Sequence, residues 1–268
     1  MKLDDCKALI TGASAGIGRE LARQLAGRAR SMILVARRDE RLIELAEQLQ
    51  REHPRLLVHT RKVDLADLEQ LQAFLEQLDR EKLEVDLLIN NAGLGDSGRF
   101  AESDPNRNKE MTVVNVEALT LITRHFVPQM IAKRRGAILN VSSSAGFLPI
   151  PGSAVYAATK AYVTSFSEAL RAELRGTGVS VCALCPGPVV TEFQQVAKRE
   201  GMKPDIGPQF IVATVEQVVR DGLAALEADR PLVVPGVAMK LLMLLVRLMP
   251  MPVLRWVARM SPRSRGVV

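Results

Sequence analysis

Residues 7–18 read KALITGASAGIG, in which a short apolar run leads into a turn with three glycines. The run Lys7–Thr11 predicts a buried strand, and the residues from Ile17 to Ala29 predict a helix. Glycine adopts positive φ without strain and leaves room for another group to approach the backbone. The stretch therefore predicts the strand–turn–helix unit from which parallel α/β sheets are built.

The same alternation of apolar runs and helical stretches continues along the chain. Strands are predicted at Lys7–Thr11, Ser31–Ala36, Leu56–Lys62, Val85–Asn90, Gly136–Ser142, Val179–Cys185 and Leu232–Val234. Helices are predicted at Ile17–Ala29, Glu40–Glu52, Leu68–Arg80, Lys109–Lys133, Ala157–Arg175 and Thr214–Ala228. Repeated β-α-β units with right-handed crossovers predict an α/β fold: one doubly wound parallel sheet of about seven strands, with helices on both faces.

Charge divides the 268 residues into two parts. The last acidic residue is Asp229, and residues 1–230 are neutral overall, whereas six of the 36 basic residues lie after Arg230 and account for the net charge of +6. We therefore predict one domain over 1–230 and an apolar, basic extension over 231–268. Because the basic excess is confined to the extension, the high isoelectric point does not predict nucleic-acid binding.

The cysteines and histidines predict no metal site. Cys182 and Cys185 form C-x-x-C, but they lie on a predicted strand, where positions three apart point to opposite faces. Free core thiols, together with the polar start of the chain, predict a cytoplasmic protein without a signal peptide.

The glycine turn is a candidate phosphate site. A helix N-terminus offers unpaired N–H groups and a partial positive charge, and glycines let a pyrophosphate approach them. The alternative is a purely structural turn. A nucleotide is the better prediction because strand, turn and helix occur in the required order.

The turn has the pattern T-G-x-x-x-G-x-G, which, with other motifs in order, resembles the classical short-chain dehydrogenase/reductase family. The other motifs are Asp64-Leu65, Asn90-Asn91-Ala92-Gly93, Asn115, Ser143, Tyr156-x-x-x-Lys160 and Pro186-Gly187-Pro188-Val189-Val190-Thr191. The resemblance covers most of the chain up to Thr191. It implies a single Rossmann-type domain with strand order 3-2-1-4-5-6-7, a nicotinamide cofactor, and a homodimer or homotetramer formed by the helices that begin near Lys109 and Ala157. The implied cofactor-binding residues are Gly12, Ser14, Gly16, Ile17, Gly18, Arg37, Asp64, Leu65, Asn91, Ala92, Gly93, Tyr156, Lys160, Pro186, Gly187, Val189 and Thr191.

Tyr156 and Lys160 carry the predicted chemistry. Reduction of a ketone by hydride builds negative charge on its oxygen, and a tyrosine can protonate that oxygen if a nearby ammonium stabilises the phenolate. Four residues apart on a helix, the two side chains share one face. By resemblance, Lys160 also holds the nicotinamide ribose, Ser143 hydrogen-bonds the substrate oxygen, and Asn115 holds a water of the proton relay.

Alternatives remain for three of these assignments. The spacing Y-x-x-x-K also occurs by chance on amphipathic helices. Ser142 and Ser144 flank Ser143 and carry the same hydroxyl group. Asn115 would also fit as a helix-interior residue whose amide is satisfied by the backbone.

The end of the second strand favours NADP over NAD. An acidic residue there would bind the ribose hydroxyls of NAD, but the strand ends Val35-Ala36-Arg37-Arg38. Arg37 can form charge-assisted hydrogen bonds to a 2′-phosphate, and Ser14 can add a hydroxyl. The alternative is that both arginines belong to a solvated loop.

The substrate side is less defined. Residues 192–212 mix helix-compatible residues with Gly and Pro, which predicts a mobile lid or an ordinary surface loop. Five apolar residues could line a pocket for a small hydrophobic carbonyl or alcohol substrate, or could belong to the core: Phe147, Leu148, Ile150, Phe193 and Phe210.

The extension allows three interpretations. Residues 238–260 are apolar and basic. Their apolar run, 238–249, is too short to span a bilayer and is followed by Pro250 and Pro252. They could cap the pocket or form a subunit interface, lie peripherally on a membrane surface, or be disordered. Two alternatives to a general carbonyl reductase follow: a lipid-type ketoreductase at a membrane, and a non-catalytic NADP-binding regulator.

Overall fold

The computed structural model describes residues 2–197, 199 and 209–260, without the side chains of 257–260. The strands are β1 (Cys6–Thr11), β2 (Ala29–Ala36), β3 (Leu57–Lys62), β4 (Leu87–Asn90), β5 (Gly136–Val141), β6 (Val179–Leu184) and β7 (Leu232–Val233). The helices are α1 (Gly16–Ala26), α2 (Asp39–Glu52), α3 (Leu68–Arg80), α4 (Pro105–Thr112), α5 (Leu119–Ala132), α6 (Ala154–Glu173), α7 (Glu192–Val196), α8 (Val215–Glu227), α9 (Val237–Leu248) and α10 (Met251–Met260).

All seven strands form one parallel sheet in the order β3-β2-β1-β4-β5-β6-β7, which confirms the predicted fold and topology. β7 lies within the segment 231–268 that the sequence assigned to the extension. Because β7 pairs with β6 and completes the sheet, only α9 and α10 lie beyond the sheet in the described part of that segment.

The alternation of side chains along each strand builds two cores. On one face, Ile10 of β1 packs in a cluster with apolar residues of α1, α2 and α8. On the other face, Leu9 packs in a cluster with residues of α3, α4 and α5. This arrangement is the doubly wound architecture, in which helices cover both sides of a parallel sheet.

The predicted helix Lys109–Lys133 differs from the structure. It begins earlier, at Pro105, and a π-helical segment at Val113–Ala118 separates α4 from α5. π-Helical turns are rare and occur often at functional sites, and this one contains Asn115. Helix α6 also begins earlier than predicted, so that Tyr156 lies in its first turn.

Strand order reverses between β1 and β4, so the chain leaves these two strands in opposite directions along the sheet. A crevice forms outside the carboxyl ends of parallel strands at such a point, and ligands bind there in open α/β sheets. The loops that follow β1, β4, β5 and β6 all reach this edge.

Candidate functional site

The glycine turn leaves the first turn of α1 open to the crevice. Gly12 and Gly16 have φ of +67° and +53°, and a Cβ at Gly12 would lie 2.8 Å from Asn91 Nδ2. The N-cap residue Ala15 makes no side-chain hydrogen bond, and the first turn of α1 has no acidic residue. The unpaired N–H groups and the helix dipole therefore suit a pyrophosphate.

Asn91 and Thr11 join the turn to the end of β4. Asn91 Nδ2 donates to the carbonyl oxygen of Thr11 at 2.9 Å, and the backbone N–H groups of Asn91 and Ala92 donate to Thr11 Oγ1 at 3.0 Å each. The hydroxyl of Thr11 thus organises the floor of the crevice. Our sequence analysis gave Thr11 no role, although its place beside Gly12 was visible.

A cavity of about 860 Å³ fills the crevice. Its lining includes the predicted cofactor residues Gly12, Ser14, Gly16, Ile17, Arg37, Asp64, Leu65, Asn91, Ala92, Gly93, Tyr156, Lys160, Pro186, Gly187, Val189 and Thr191. Gly18 does not line the cavity; a Cβ there would collide with the carbonyl oxygen of Gly12, so this glycine allows close packing beneath the turn. The sequence motifs thus converge on one elongated site whose size suits a dinucleotide.

Lys160 is buried under the site. Its Nζ donates to the carbonyl oxygen of Val141 at 2.9 Å and lies 5.9 Å from the centre of the Tyr156 ring. Burial lowers the pKa of Lys160 to about 8. Burial raises the pKa of Tyr156, and a hydrogen bond with Ser143 acts in the opposite direction. The phenol is therefore protonated at neutral pH in this structure.

The three consecutive serines take different roles. Ser142 Oγ donates to the backbone carbonyl of Lys160 at 2.7 Å and is buried, so it fastens β5 to α6. Ser143 Oγ accepts from the Ala145 backbone at 3.1 Å, and its hydroxyl lies close enough to the Tyr156 phenol to oppose the rise of that group's pKa. The backbone N–H of Ser144 donates to the Pro186 carbonyl oxygen. Ser143 is thus the hydroxyl that faces the tyrosine.

Asn115 lies behind the site and does not line the cavity. Its Nδ2 donates to the Leu94 carbonyl oxygen and to Thr159 Oγ1, both at 2.9 Å, and its Oδ1 accepts from the Leu94 N–H. Both amide N–H groups are engaged, which matches the alternative of an Asn satisfied by local groups. Its role in a water relay stays a prediction.

A cluster of charged side chains lies where the chain leaves β2, and most of its members line the cavity. Arg37 lies 3.8 Å from Asp64, while Arg38 donates to Glu192 at 2.8 Å and to Ser14 Oγ at 3.3 Å. Arg41 also donates to Glu192, at 2.7 Å. Hydrogen bonds from the two arginines lower the pKa of Glu192. Sequence analysis missed Glu192 and Arg41, because no local pattern relates residues about 150 positions apart.

Apolar side chains line the substrate side. Leu148, Ile150 and Phe193 contribute to the cavity, and the Phe193 ring lies 5.7 Å from the Tyr156 ring. The prediction was wrong for two residues. Phe147 lies against Arg247, whose guanidinium is 5.6 Å from the ring centre, and Phe210 is 73% exposed. Of the predicted lid over 192–212, residues 198 and 200–208 lie outside the described part of the chain.

The cysteines remain inert in this fold. Cys182 and Cys185 are buried, and burial raises the pKa of each thiol to about 12. Among the described residues, no group of three or more His, Cys, Asp or Glu side chains is placed to hold a metal ion.

Comparison with known proteins agrees with this geometry. The model of the short chain dehydrogenase family matches residues 7–201. Sulfoacetaldehyde reductase 2 of Chromohalobacter salexigens is 42% identical over 190 residues, which cover 70% of this chain and 74% of that protein. A short-chain dehydrogenase from Sphingobium yanoikuyae in complex with NADPH superimposes with a TM-score of 0.80 at 33% identity, covering 89% of this chain and 91% of its own.

A third similar protein also has a solved structure. The bulky-bulky ketone specific alcohol dehydrogenase from Comamonas testosteroni superimposes with a TM-score of 0.75 at 29% identity, covering 92% of this chain and 95% of its own. The match of the family model to most of the chain, the seven-stranded fold and these relatives lead to one conclusion: the chain belongs to the short-chain dehydrogenase family of oxidoreductases, which use nicotinamide cofactors.

Proposed function

We propose that this protein is an NADP(H)-dependent oxidoreductase that interconverts a hydrophobic ketone or aldehyde and its alcohol. The observation that carries the proposal is that Tyr156, the glycine turn and the apolar side chains of Leu148, Ile150 and Phe193, here called the apolar wall, line one cavity. Lys160 Nζ lies 5.9 Å from the centre of the Tyr156 ring, and the hydroxyl of Ser143 is close enough to the phenol to oppose the rise of its pKa.

When bound, the nicotinamide cofactor supplies the hydride that forms the new C–H bond at the carbonyl carbon. Ser143 donates a hydrogen bond to the carbonyl oxygen, and Tyr156 transfers its phenolic proton there, so that one O–H bond breaks as another forms. Lys160 holds its positive charge near the resulting phenolate and lowers its energy. A proton from solvent then restores the phenol. In the oxidation direction the same groups act in reverse.

The proposed relay runs through Ser143, Tyr156, Lys160 and Asn115. Asn115 supports it from behind: its bond to Thr159 connects the π-helical segment to α6 between the two reacting residues. Gly93 allows this packing, since a Cβ there would lie 3.3 Å from both Lys160 Nζ and Asn115 Oδ1. Asn115 is thus proposed as a positioning residue.

Two arginines support the choice of NADP. Arg37 and Arg38 both line the cavity where the chain leaves β2, and Ser14 lies within reach of Arg38. Together they offer guanidinium and hydroxyl donors to a 2′-phosphate. The family uses nicotinamide cofactors in general, so the preference for NADP rests on these side chains.

The apolar wall supports a hydrophobic substrate. Among charged groups near this wall, Arg199 and Asp96 pair with each other at 2.6 Å, which leaves them less available to an ionic substrate. The similarity to a bulky-ketone dehydrogenase agrees with this, whereas the similarity to sulfoacetaldehyde reductase points to a smaller, anionic aldehyde. A lipid-type ketone is the second candidate, because the apolar helix α9 adjoins the site.

A homodimer or homotetramer formed through α5 and α6 belongs to the same proposal. Leu121 and Tyr162 on these helices are 43% and 37% exposed, and Tyr162 stacks on Phe166 with ring centres 5.7 Å apart. The three buried free thiols support a cytoplasmic location. A non-catalytic NADP-binding regulator is disfavoured, since a protein that only binds cofactor does not need Ser143 and Tyr156 in contact.

Oxidation of NADPH, followed by absorbance, tests the proposal against a panel of ketones and aldehydes graded by chain length, charge and polarity, with NADH in parallel. We expect turnover with NADPH that rises with apolar length. Preference for sulfonated or other anionic aldehydes would refute the hydrophobic substrate. Equal efficiency with NADH would refute the cofactor assignment. Tight NADPH binding without turnover on any member would favour the regulator.

A further inference from the structure

Helix α9 presents an aliphatic stripe to solvent. Val237, Leu241, Leu244, Leu245 and Leu248 recur at the spacing of one helix face, and we call them the outer stripe. Their exposed fractions lie between 54% and 77%. The opposite side of the helix carries Met239 and Met243, which are 4% and 5% exposed and pack on the domain.

This pattern is the reverse of an ordinary surface helix, which turns its apolar side inward and its charged side to water. In α9 the inner positions are occupied by two methionines, while the more apolar face has no described partner in the chain. A contiguous exposed apolar patch in a folded protein marks a surface that binds a protein or a membrane.

The charges beside the outer stripe indicate which of these it is. Lys240 and Arg247 flank one edge of the stripe, and the sequence has no acidic residue after Asp229. Arg247 also pairs with Glu168 of α6, whose Oε1 lies 3.7 Å from its Nη2. On the adjoining helix α10, Trp256 is 60% exposed, and tryptophan favours the interface between lipid and water.

We propose that the outer stripe docks α9 onto an anionic lipid surface, with the helix lying in the plane of the interface. Aliphatic side chains enter the acyl boundary, while Lys240 and Arg247 meet the phosphates of the head groups. A symmetric contact between two copies is the competing occupant. It would place two cationic edges together, with no acid on either stripe to neutralise them.

The docking surface adjoins the cavity. α9 packs against the segment Ser144–Phe147, and Met239 lies where a Cβ at Gly187 would be 2.5 Å from its Cε. Ser144, Ala145 and Gly187, which α9 contacts or adjoins, line the cavity. Docking therefore places the site beside the bilayer. Delivery of an apolar substrate from the lipid rests on the proposed function, whereas docking on the lipid surface is independent of it.

Co-sedimentation of the full chain with vesicles tests the proposal. Vesicles of phosphatidylcholine that contain about one-third phosphatidylglycerol, an anionic lipid, are compared with vesicles of pure phosphatidylcholine. Leu241→Gln/Leu245→Gln removes the centre of the outer stripe. Leu57→Gln/Ile43→Gln is the matched control, because these residues are 58% and 45% exposed elsewhere on the molecule. Thermal unfolding followed by circular dichroism tests whether each variant folds, and this test does not depend on cofactor binding or on activity.

We expect binding to the anionic vesicles, weaker binding to the neutral ones, and a loss of at least about tenfold in the stripe variant but less than about twofold in the control. Absence of vesicle binding by the wild-type chain would overturn the proposal. So would equal binding by the two variants. Light scattering decides what replaces it: a wild-type dimer that the stripe variant converts to monomer, without vesicle binding, would assign the stripe to a second copy.

Discussion

Lys160 Nζ donates a hydrogen bond of 2.9 Å to the carbonyl oxygen of Val141, the last residue of β5. This bond holds the ammonium group at the floor of the site, although burial lowers its pKa from 10.5 to about 8. A shift of this size corresponds to a cost of about 3 kcal/mol for the charged form in the folded protein. The fold therefore retains a destabilising charge at the position where the proposed chemistry requires one.

We expect Lys160→Met to abolish turnover yet stabilise the fold at pH 7 by about 2 kcal/mol, because it removes the buried charge at the loss of one hydrogen bond. The unfolded chain binds more protons than the folded one between pH 8 and 10.5. The destabilisation caused by Lys160 therefore decreases as pH rises through this window. Urea unfolding measures the difference between wild type and variant at each pH.

The comparison between wild type and variant is needed because other groups titrate in the same pH range. The pKa values of the Cys6, Cys182 and Cys185 thiols are all raised from 9.0 to about 12, so these groups lower the stability of both proteins as pH rises above 9. Lys109→Met, at an exposed position, serves as the control and should show no such window. A Lys160→Met protein less stable than wild type at pH 7 would contradict the argument.

Tyr156→Phe should reduce kcat by at least about 100-fold while NADPH binds normally, because only the proton donor is removed. The ring and its contact with Phe193 remain. Tyr162→Phe is the matched control on the same helix; it removes a hydroxyl that bonds to Thr120 at 2.8 Å, away from the cavity. Steady-state kinetics and fluorescence titration measure the two effects. Similar losses in both variants would mean that Tyr156 acts through the stability of α6.

Much of the fold could be predicted from local pattern. Most strands are short apolar runs, with β3 (LVHTRK) as the exception, and the order of the sheet follows from right-handed crossovers and the family resemblance. The π-helical segment could not be predicted in this way. It exists where Asn115 bonds to the Leu94 backbone, a contact across 21 residues that overrides the local preference for a continuous helix.

The site shows the same division. Gly12, Ser143, Tyr156 and Lys160 lie in motifs with fixed spacing, and the structure brings them to one cavity. The partners of Arg38 depend instead on how the loop after β6 folds over the cavity. Phe147 and Phe210 were misplaced because apolar character alone does not distinguish a pocket wall from a surface or a helix contact.

Arg37→Ser should weaken NADPH binding by about 10- to 100-fold and leave NADH binding nearly unchanged, since a lost charge-assisted hydrogen bond amounts to about 1.5–3 kcal/mol. Arg30→Ser, at the other end of β2, controls for the loss of one positive charge. Fluorescence titration with both cofactors measures the ratio. Equal weakening for NADPH and NADH would show that Arg37 does not contact a 2′-phosphate.

Glu192→Gln should strengthen NADPH binding by about three- to tenfold at low salt, because the carboxylate competes with a 2′-phosphate for Arg38. The gain should shrink as salt increases, and NADH should show none of it. Glu47→Gln, also on the surface, is the control for a general change in charge. Weaker binding of both cofactors would instead mean that Glu192 serves mainly to hold α7 over the cavity.

Comparison of Gly12→Ala with Gly176→Ala separates the cost of backbone strain at positive φ from the cost of a steric collision of the added Cβ. Both glycines have positive φ, +67° and +80°, where an alanine costs about 1–2 kcal/mol. A Cβ at Gly176 meets nothing within 4 Å, whereas at Gly12 it would lie 2.9 Å from the Ala92 Cα. We expect Gly176→Ala to lose about 1 kcal/mol of stability and to keep normal NADPH binding.

Gly12→Ala should lose at least about 3 kcal/mol, because the collision is with backbone and with Asn91, which cannot move without breaking its bonds to Thr11. It should also lose cofactor binding, since the added methyl group forces the end of β4 away from the turn. Urea unfolding and NADPH titration measure both effects. If the two variants were equally stable and bound NADPH equally well, the junction between Gly12 and Asn91 would be looser than the structure requires.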